Sequence, residues 1–261
     1  MLKKNKYKIA PEFSDLESWI TQLPANFASS GETIYKLRNE IKVFVVGNLQ
    51  LNVKEFKVPI LLNRILYLYF RGSKAERSYK YAQLFTSLGI PTPAPVGYIE
   101  CSENGLLTKC YYVSLHLNYN YTLREALDFQ DKQKKDILKQ WVRFTYEKLH
   151  KNEIFHLDYS PGNTLITGNS EELQFSIVDL NRISFGKINF EKGLTNFCRL
   201  GVDPSVFEFV GSEYAKLRGE NPENGARKMV NNDRKSDEKL QRLVQFKEIF
   251  KRVFRYGRDG K

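Results

Sequence analysis

The sequence predicts an α+β protein in two lobes, the first built mainly from antiparallel strands and the second mainly from helices. Three observations carry that expectation. Short β-rich runs separated by turn residues fill the first half, one strongly helical stretch (Ser73–Leu88) interrupts them, and helical spacing dominates after residue 122. The boundary falls near Leu117–Thr122, giving an N-lobe of residues 1–117 and a C-lobe of residues 118–261 that together make one domain.

Thr33–Leu37 and Ile41–Val46 are β-rich runs separated by Arg38-Asn39-Glu40, which reads as a hairpin. Gln50–Phe56 alternates apolar and polar residues and reads as a third, half-buried strand that Pro59 ends. In the helix Ser73–Leu88, Ser73 is placed to cap the N-terminus, and Gly89 closes the C-terminus. The proline-rich IPTPAPVGYIE turns into another strand, and Gly105–Leu117 supplies one more. Thr122–Phe129 and Lys132–His150 read as helices, Thr164–Ile166 and Phe175–Leu180 as two short strands, and the chain beyond residue 188 as helical.

Composition narrows the function classes. A chain of 261 residues with 41% hydrophobic and 27% charged residues buries a substantial core. No run reaches the roughly 18 apolar residues of a bilayer span, and ILLNRILYLYF at 60–70 is short and carries Arg64. The basic N-terminus leads into no apolar segment, so a cytoplasmic address is expected. Three cysteines, Cys101, Cys110 and Cys198, form no C-x-x-C pair and are read as free thiols.

Lys and Arg outnumber Asp and Glu by 41 to 30, and the excess of +11 is uneven. Residues 227–261 hold 12 basic and 5 acidic side chains, a local net of +7. Such a tail suits an anionic membrane surface, a phosphorylated substrate or a solvated helix face. Leu240, Leu243, Phe246, Phe250, Val253 and Phe254 recur near helical spacing, which leaves Arg242, Lys247, Lys251 and Arg255 to point elsewhere. No recognised nucleic-acid motif accompanies the charge, so no nucleic acid is expected as partner.

One stretch stands apart, FHLDYSPGNTLI at 155–166, in which Asp158 and Asn163 lie five residues apart just before a strand. As a bare loop it is ordinary turn chemistry. Its place in the chain changes that. Lys54 on the third strand, Glu76 on the inserted helix, H-x-D-x-x-x-x-N at His156–Asn163 and Asp179 in FSIVDLNR follow one another in an order that resembles the protein-kinase-like fold.

The resemblance implies a bilobal protein with a small antiparallel N-lobe, one αC-type helix and a mainly helical C-lobe, using ATP and Mg2+. Lys54 would bind the α- and β-phosphates and pair with Glu76, with Arg38 and Asn39 in the hairpin turn over the phosphates. Asp158 would orient and deprotonate an acceptor hydroxyl, while Asn163 and Asp179 would hold the metal. His156 reads as a structural hydrogen-bonding residue rather than a base.

Departures from the protein-kinase pattern redirect the acceptor. No G-x-G-x-x-G occupies the first hairpin, Ser160 stands where serine/threonine kinases place a lysine, and Asp179 is followed by Leu-Asn. No A-P-E follows, and 183–200 leaves little room for a peptide-docking segment. NVKEFKVP, RILYLYFRGSKAERSYKYA, GIPTPAPVGYIE and VDLNRISFGKINFEKGLTNFCRL resemble the lipopolysaccharide kinase family, which phosphorylates Kdo or heptose of the inner core.

That resemblance implies a sugar or glycolipid acceptor of the lipid A–Kdo type and work at the cytoplasmic face of the inner membrane. The loop also resembles atypical RIO-type kinases and aminoglycoside or choline phosphotransferases. A nucleotide-binding pseudokinase is the non-catalytic alternative.

Overall fold

A computed structural model describes residues 3–57, 72–169, 172–235 and 238. The apolar run at 60–70 and the tail residues from Leu240 to Arg255 named above lie outside them. The chain divides into two compact units, Met1–Thr122 with Asn163–Ile183, and Leu123–Gly162 with Ser184–Lys261.

The first unit is organised on a six-stranded antiparallel sheet. Its strands are β1 (Lys3–Ile9), β2 (Glu32–Lys36), β3 (Glu40–Val46), β4 (Leu49–Glu55), β5 (Pro95–Glu103) and β6 (Leu106–Leu115), in the order β1-β5-β6-β4-β3-β2. Alternation along β4 decides what each face carries. Leu51 and Val53 point into a core shared with Ile20, Leu23 and Phe27 of the segment around α1 (Glu17–Asn26). Phe56, two residues beyond Lys54, packs with Ala75 and Tyr79 of α2 (Lys74–Ser87), so the period of two turns Lys54 toward the α2 face.

Ser73 caps α2 by accepting the Glu76 amide proton at 3.1 Å, and Gly89 takes the positive φ of +63° after its last turn. The end of α1 is closed by a lysine from the sheet. Lys42 is buried, with its ammonium donating to the carbonyls of Phe27 at 2.7 Å and Ser30 at 3.1 Å.

Two elements of this unit go beyond the sequence expectation, β1 and α1. The first is an edge strand, where lysines keep one flank wet; the second contains Pro24, which breaks the helical pattern in sequence but not in the fold. A second sheet holds β7 (Tyr121–Thr122), β9 (Thr164–Gly168) and β10 (Leu173–Ile177), in the order β10-β9-β7. The last strand stops at Ile177, so Asp179 lies two residues past it rather than at its end.

The second unit contains α3 (Leu123–Ala126), α4 (Asp131–Phe144), α5 (Phe190–Thr195), α6 (Pro204–Arg218) and a helix over 222–235. The expected long helix ends at Phe144 and continues as a π-turn over Thr145–Leu149 and a 3-10 turn over His150–Asn152. β8 (Ile154–His156) and β11 (Ile183–Phe185) form a short ribbon.

Its core is aromatic. Trp141 stacks on Tyr159 with centroids 5.3 Å apart and meets Phe197 edge-on at 5.2 Å, and Phe197 in turn meets Tyr214 at 5.3 Å. Gly211 and Gly225 let their helices touch backbone to backbone, since a Cβ on Gly211 would lie 2.5 Å from the Gly225 carbonyl oxygen. Cys101, Cys110 and Cys198 are free thiols.

Candidate active site

In the first unit the hairpin β9–β10 sets the geometry. Thr164 is opposite Ile177, and the ladder continues one step as Val178 N–H donates to the Asn163 carbonyl at 3.0 Å. Asn163 and Asp179 therefore leave the same open end of one hairpin. Asp179 has φ +60°, a left-handed conformation that a short polar side chain tolerates best. Asn181, two residues on, donates its side-chain amide to the Asp179 carboxylate.

Lys54 reaches the same carboxylate, its ammonium 2.7 Å from Asp179 Oδ1, and also lies 5.1 Å from the centre of the Phe56 ring. The strand lysine and the Asp-Leu-Asn carboxylate are thus joined, although they come from distant parts of the chain.

Glu76 is placed differently from what the resemblance implies. It lies in the first turn of α2, 2.9 Å from the ammonium of Lys80 and 3.3 Å from that of Lys6. Burial alone would raise its carboxyl; hydrogen bonds and charge from Lys80 and Lys6 outweigh that and hold it below its ordinary value. Among the described ion pairs, Lys54 is joined to Asp179 and not to Glu76. The physical reason is local: Lys80 is one helical turn along, and Lys6 projects from the edge strand, bridging Glu76 and Glu100.

Arg38 and Asn39 sit in the β2–β3 turn, with Asn39 Oδ1 accepting the Lys57 amide at 3.2 Å.

Three side chains missed in the sequence contribute here. Arg77, next to Glu76, is buried and donates through Nε to the Asn181 carbonyl at 3.1 Å, tying α2 to the segment that carries Asp179. Lys74 shares the Phe56 ring with Lys54, at 5.9 Å. Phe56 itself is found by the period of two from Lys54. Nothing in the local pattern marks the other two.

In the second unit the loop His156–Gly162 is pinned at alternating points. His156, Tyr159 and Pro161 are buried, while Leu157 is exposed and Asp158 half-exposed. Tyr159 hydroxyl and Thr145 Oγ1 are 2.9 Å apart beneath Trp141. His156 Nδ1 accepts the Asp158 amide proton at 3.1 Å, and its carbonyl accepts from Asn196 Nδ2 at 2.8 Å, the structural part expected of it.

Asn196 in turn accepts from His150 Nε2 at 3.0 Å, and His150 Nδ1 accepts from the Tyr214 hydroxyl at 2.8 Å. Asp158 also forms an ion pair with Arg199, a residue no loop motif predicts.

The donor chemistry fits magnesium. Asp179 and Asn163 offer oxygen, a lysine ammonium already supplies positive charge at Asp179, and magnesium needs only one or two protein ligands when phosphates and water complete its shell. Among the described residues there is no cluster of three or more His, Cys, Asp or Glu side chains of the kind that encloses a metal without a substrate.

No family model matches the chain, and no curated protein matches it by sequence. Among solved structures it is similar to WaaP in complex with acyl carrier protein, at a TM-score of 0.60 and 15% identity, covering 89% of this chain and 98% of that one. The fold is protein-kinase-like. The Rio2 kinase-ADP/Mg2+-phosphoaspartate complex from Chaetomium thermophilum also matches, at a TM-score of 0.47 and 11% identity over 88% and 76% of the two chains. Among the described residues, no helix is long and apolar enough to cross a membrane.

Proposed function

We propose that this protein is an ATP-dependent phosphotransferase that moves the γ-phosphoryl group to an alcohol, a sugar hydroxyl (Kdo or heptose) of the lipopolysaccharide inner core. The observation that carries this is the ion pair of Lys54 with Asp179 beside the hairpin end that bears Asn163.

Lys54 holds the α- and β-phosphates, with Arg38 and Asn39 contributing from the hairpin turn. Glu76 serves this site by exchanging Lys80 and Lys6 for Lys54 once nucleotide draws the lysine from Asp179. Asp179 and Asn163 would hold magnesium, which when bound offsets charge on the phosphate oxygens. Asp158 accepts the acceptor's hydroxyl proton as the oxygen attacks phosphorus and ADP departs. On this reading the nucleotide and metal groups Lys54, Asn163 and Asp179 belong to the first unit and Asp158 to the second.

The acceptor follows from the sequence resemblance and from the missing peptide-docking segment. The basic C-terminal stretch supports peripheral contact with an anionic inner-membrane surface, about 1 kcal/mol per basic residue. The test is transfer of labelled γ-phosphate from Mg-ATP to purified lipid A–Kdo acceptors. Wild-type protein labels the acceptor, and Asp158→Ala does not while still binding nucleotide. Absence of transfer by the wild type, or full transfer by Asp158→Ala, overturns the proposal.

A further inference from the structure

The α2 face of the sheet holds more positive charge than the ATP site just described uses. Lys54 and Lys74 both rest on the ring of Phe56, at 5.1 and 5.9 Å from its centre. Lys54 has Asp179 as counter-charge. Lys74 has no carboxylate in salt-bridge range among the described residues, and its neighbours include the cations Arg38 and Lys54.

Burial is the first force acting against its charged form, and Arg38 the second; Cys110 and Asp179 act the other way, and Lys54 again opposes it. Together these push its ammonium below the ordinary lysine value. Lys74 is also the first residue of α2, where the helix dipole disfavours a cation. Three cations thus lie within electrostatic reach of one another with one carboxylate, Asp179, among them, an arrangement that an added anion would relieve.

We propose that Lys74 is a second phosphate-binding ammonium, acting with Lys54 and Arg38 on the polyphosphate chain of the nucleotide. This rests on the nucleotide-site reading above and deepens it. The ring of Phe56 holds both ammonium groups within about 6 Å of its centre. Glu76, two residues along the same helix, is turned to Lys6 and Lys80, and among the described ion pairs it offsets neither Lys54 nor Lys74. A polyphosphate bearing several negative charges suits that pocket; an uncharged nucleoside gains nothing from it.

The test compares wild type, Lys74→Met and Lys74→Arg. Methionine keeps an aliphatic stem against Phe56 and removes only the charge. Binding of ATP, inorganic tripolyphosphate and adenosine is measured by calorimetry, and unfolding of the ligand-free proteins by urea titration.

Lys74→Met is expected to lose about tenfold or more in affinity for ATP and tripolyphosphate, the scale of a charge-assisted hydrogen bond. Its affinity for adenosine stays unchanged, and the ligand-free protein becomes at least as stable as wild type, because a repelled ammonium has gone. Lys74→Arg retains most of the affinity. A residue that merely packed would show the opposite: lower stability and unchanged ATP binding. That result, or equal affinities in wild type and Lys74→Met, overturns the inference while leaving the nucleotide site standing. A wild type that binds neither ATP nor tripolyphosphate overturns both.

Discussion

Arg199 closes an ion pair on Asp158, the carboxylate at the centre of the H-x-D-x-x-x-x-N loop. The loop itself has Ser160 where many kinases place a cation, so the positive charge beside Asp158 arrives from a segment 41 residues away. Arg199 is half exposed, and pairs of that kind contribute only about 0–1 kcal/mol to stability. On the role proposed for Asp158, the part of Arg199 is orientation.

Arg199→Ala should leave the urea midpoint nearly unchanged and lower kcat by about tenfold or more, since small misplacements of a catalytic group are expensive in rate. Arg199→Lys should recover only part of that rate, because an ammonium is a point charge and lacks the guanidinium's planar fork. A faster Arg199→Ala enzyme would make the pair a brake instead.

Asp179 offers a cleaner separation of binding from chemistry. Its φ of +60° makes alanine a poor probe, because an alanine there carries backbone strain of about 1 kcal/mol or more. Asp179→Asn tolerates that backbone and removes the charge that pairs with Lys54 and that the proposed magnesium site requires. Magnesium-dependent ATP affinity should fall at least about tenfold, the loss expected of a charged contact. Affinity measured without magnesium should change far less. Calorimetric titration with and without the metal reads both, and equal losses in the two conditions would remove Asp179 from the metal site.

Glu76 tests whether its present partners are those of the working state. Glu76→Gln gives up the contacts with Lys80 and Lys6, of which Lys6 keeps Glu100 at 3.6 Å. The cost in stability should stay near 1 kcal/mol, the range of partly exposed pairs. If Glu76 takes Lys54 when nucleotide binds, the variant loses kcat/KM with ATP as varied substrate. A variant with wild-type kcat/KM would leave the orientation of Lys54 to Phe56 and Asp179 alone.

What the sequence made legible was local. The turn at Arg38–Glu40, the cap at Ser73 and the stop at Gly89 are short-range chemistry, and each sits where its residues place it. Loop spacing and strand order pointed to Lys54, Asp158, Asn163 and Asp179, because those residues are recognised by their order along the chain. Lys74, Arg77 and Arg199 were not legible, since each owes its setting to a partner set by tertiary structure: Phe56, Asn181 and Asp158. The partners of Glu76 escaped for the same reason. Lys6 lies on β1, an edge strand whose lysine-rich sequence hides its pairing with β5. The return of Asn163–Ile183 to the sheet-bearing unit is equally non-local, resting on contacts such as Ile177 N–H to the Pro91 carbonyl at 3.0 Å.

The chain of hydrogen bonds from Tyr214 through His150 and Asn196 to His156 links the core of the second unit to the loop that carries Asp158. His150 is buried at 3% exposure, and burial holds its imidazole down at about 4 against an ordinary 6.5. Between those values the unfolded chain binds a proton that the folded protein refuses. Stability from this group is therefore complete above its unfolded value and is lost as pH falls toward 4, with a slope approaching about 1.4 kcal/mol per pH unit. Urea unfolding across that window should show the slope in wild type and a flatter line in His150→Gln, whose amide can serve both partners without titrating. Equal slopes in the two proteins would assign the acid sensitivity to other groups. Transfer activity of the folded protein should hold across that window and fall only near pH 4, where the buried imidazole itself takes a proton and gives up its acceptance from Tyr214, on which the placing of Asn196 and the His156 carbonyl depends.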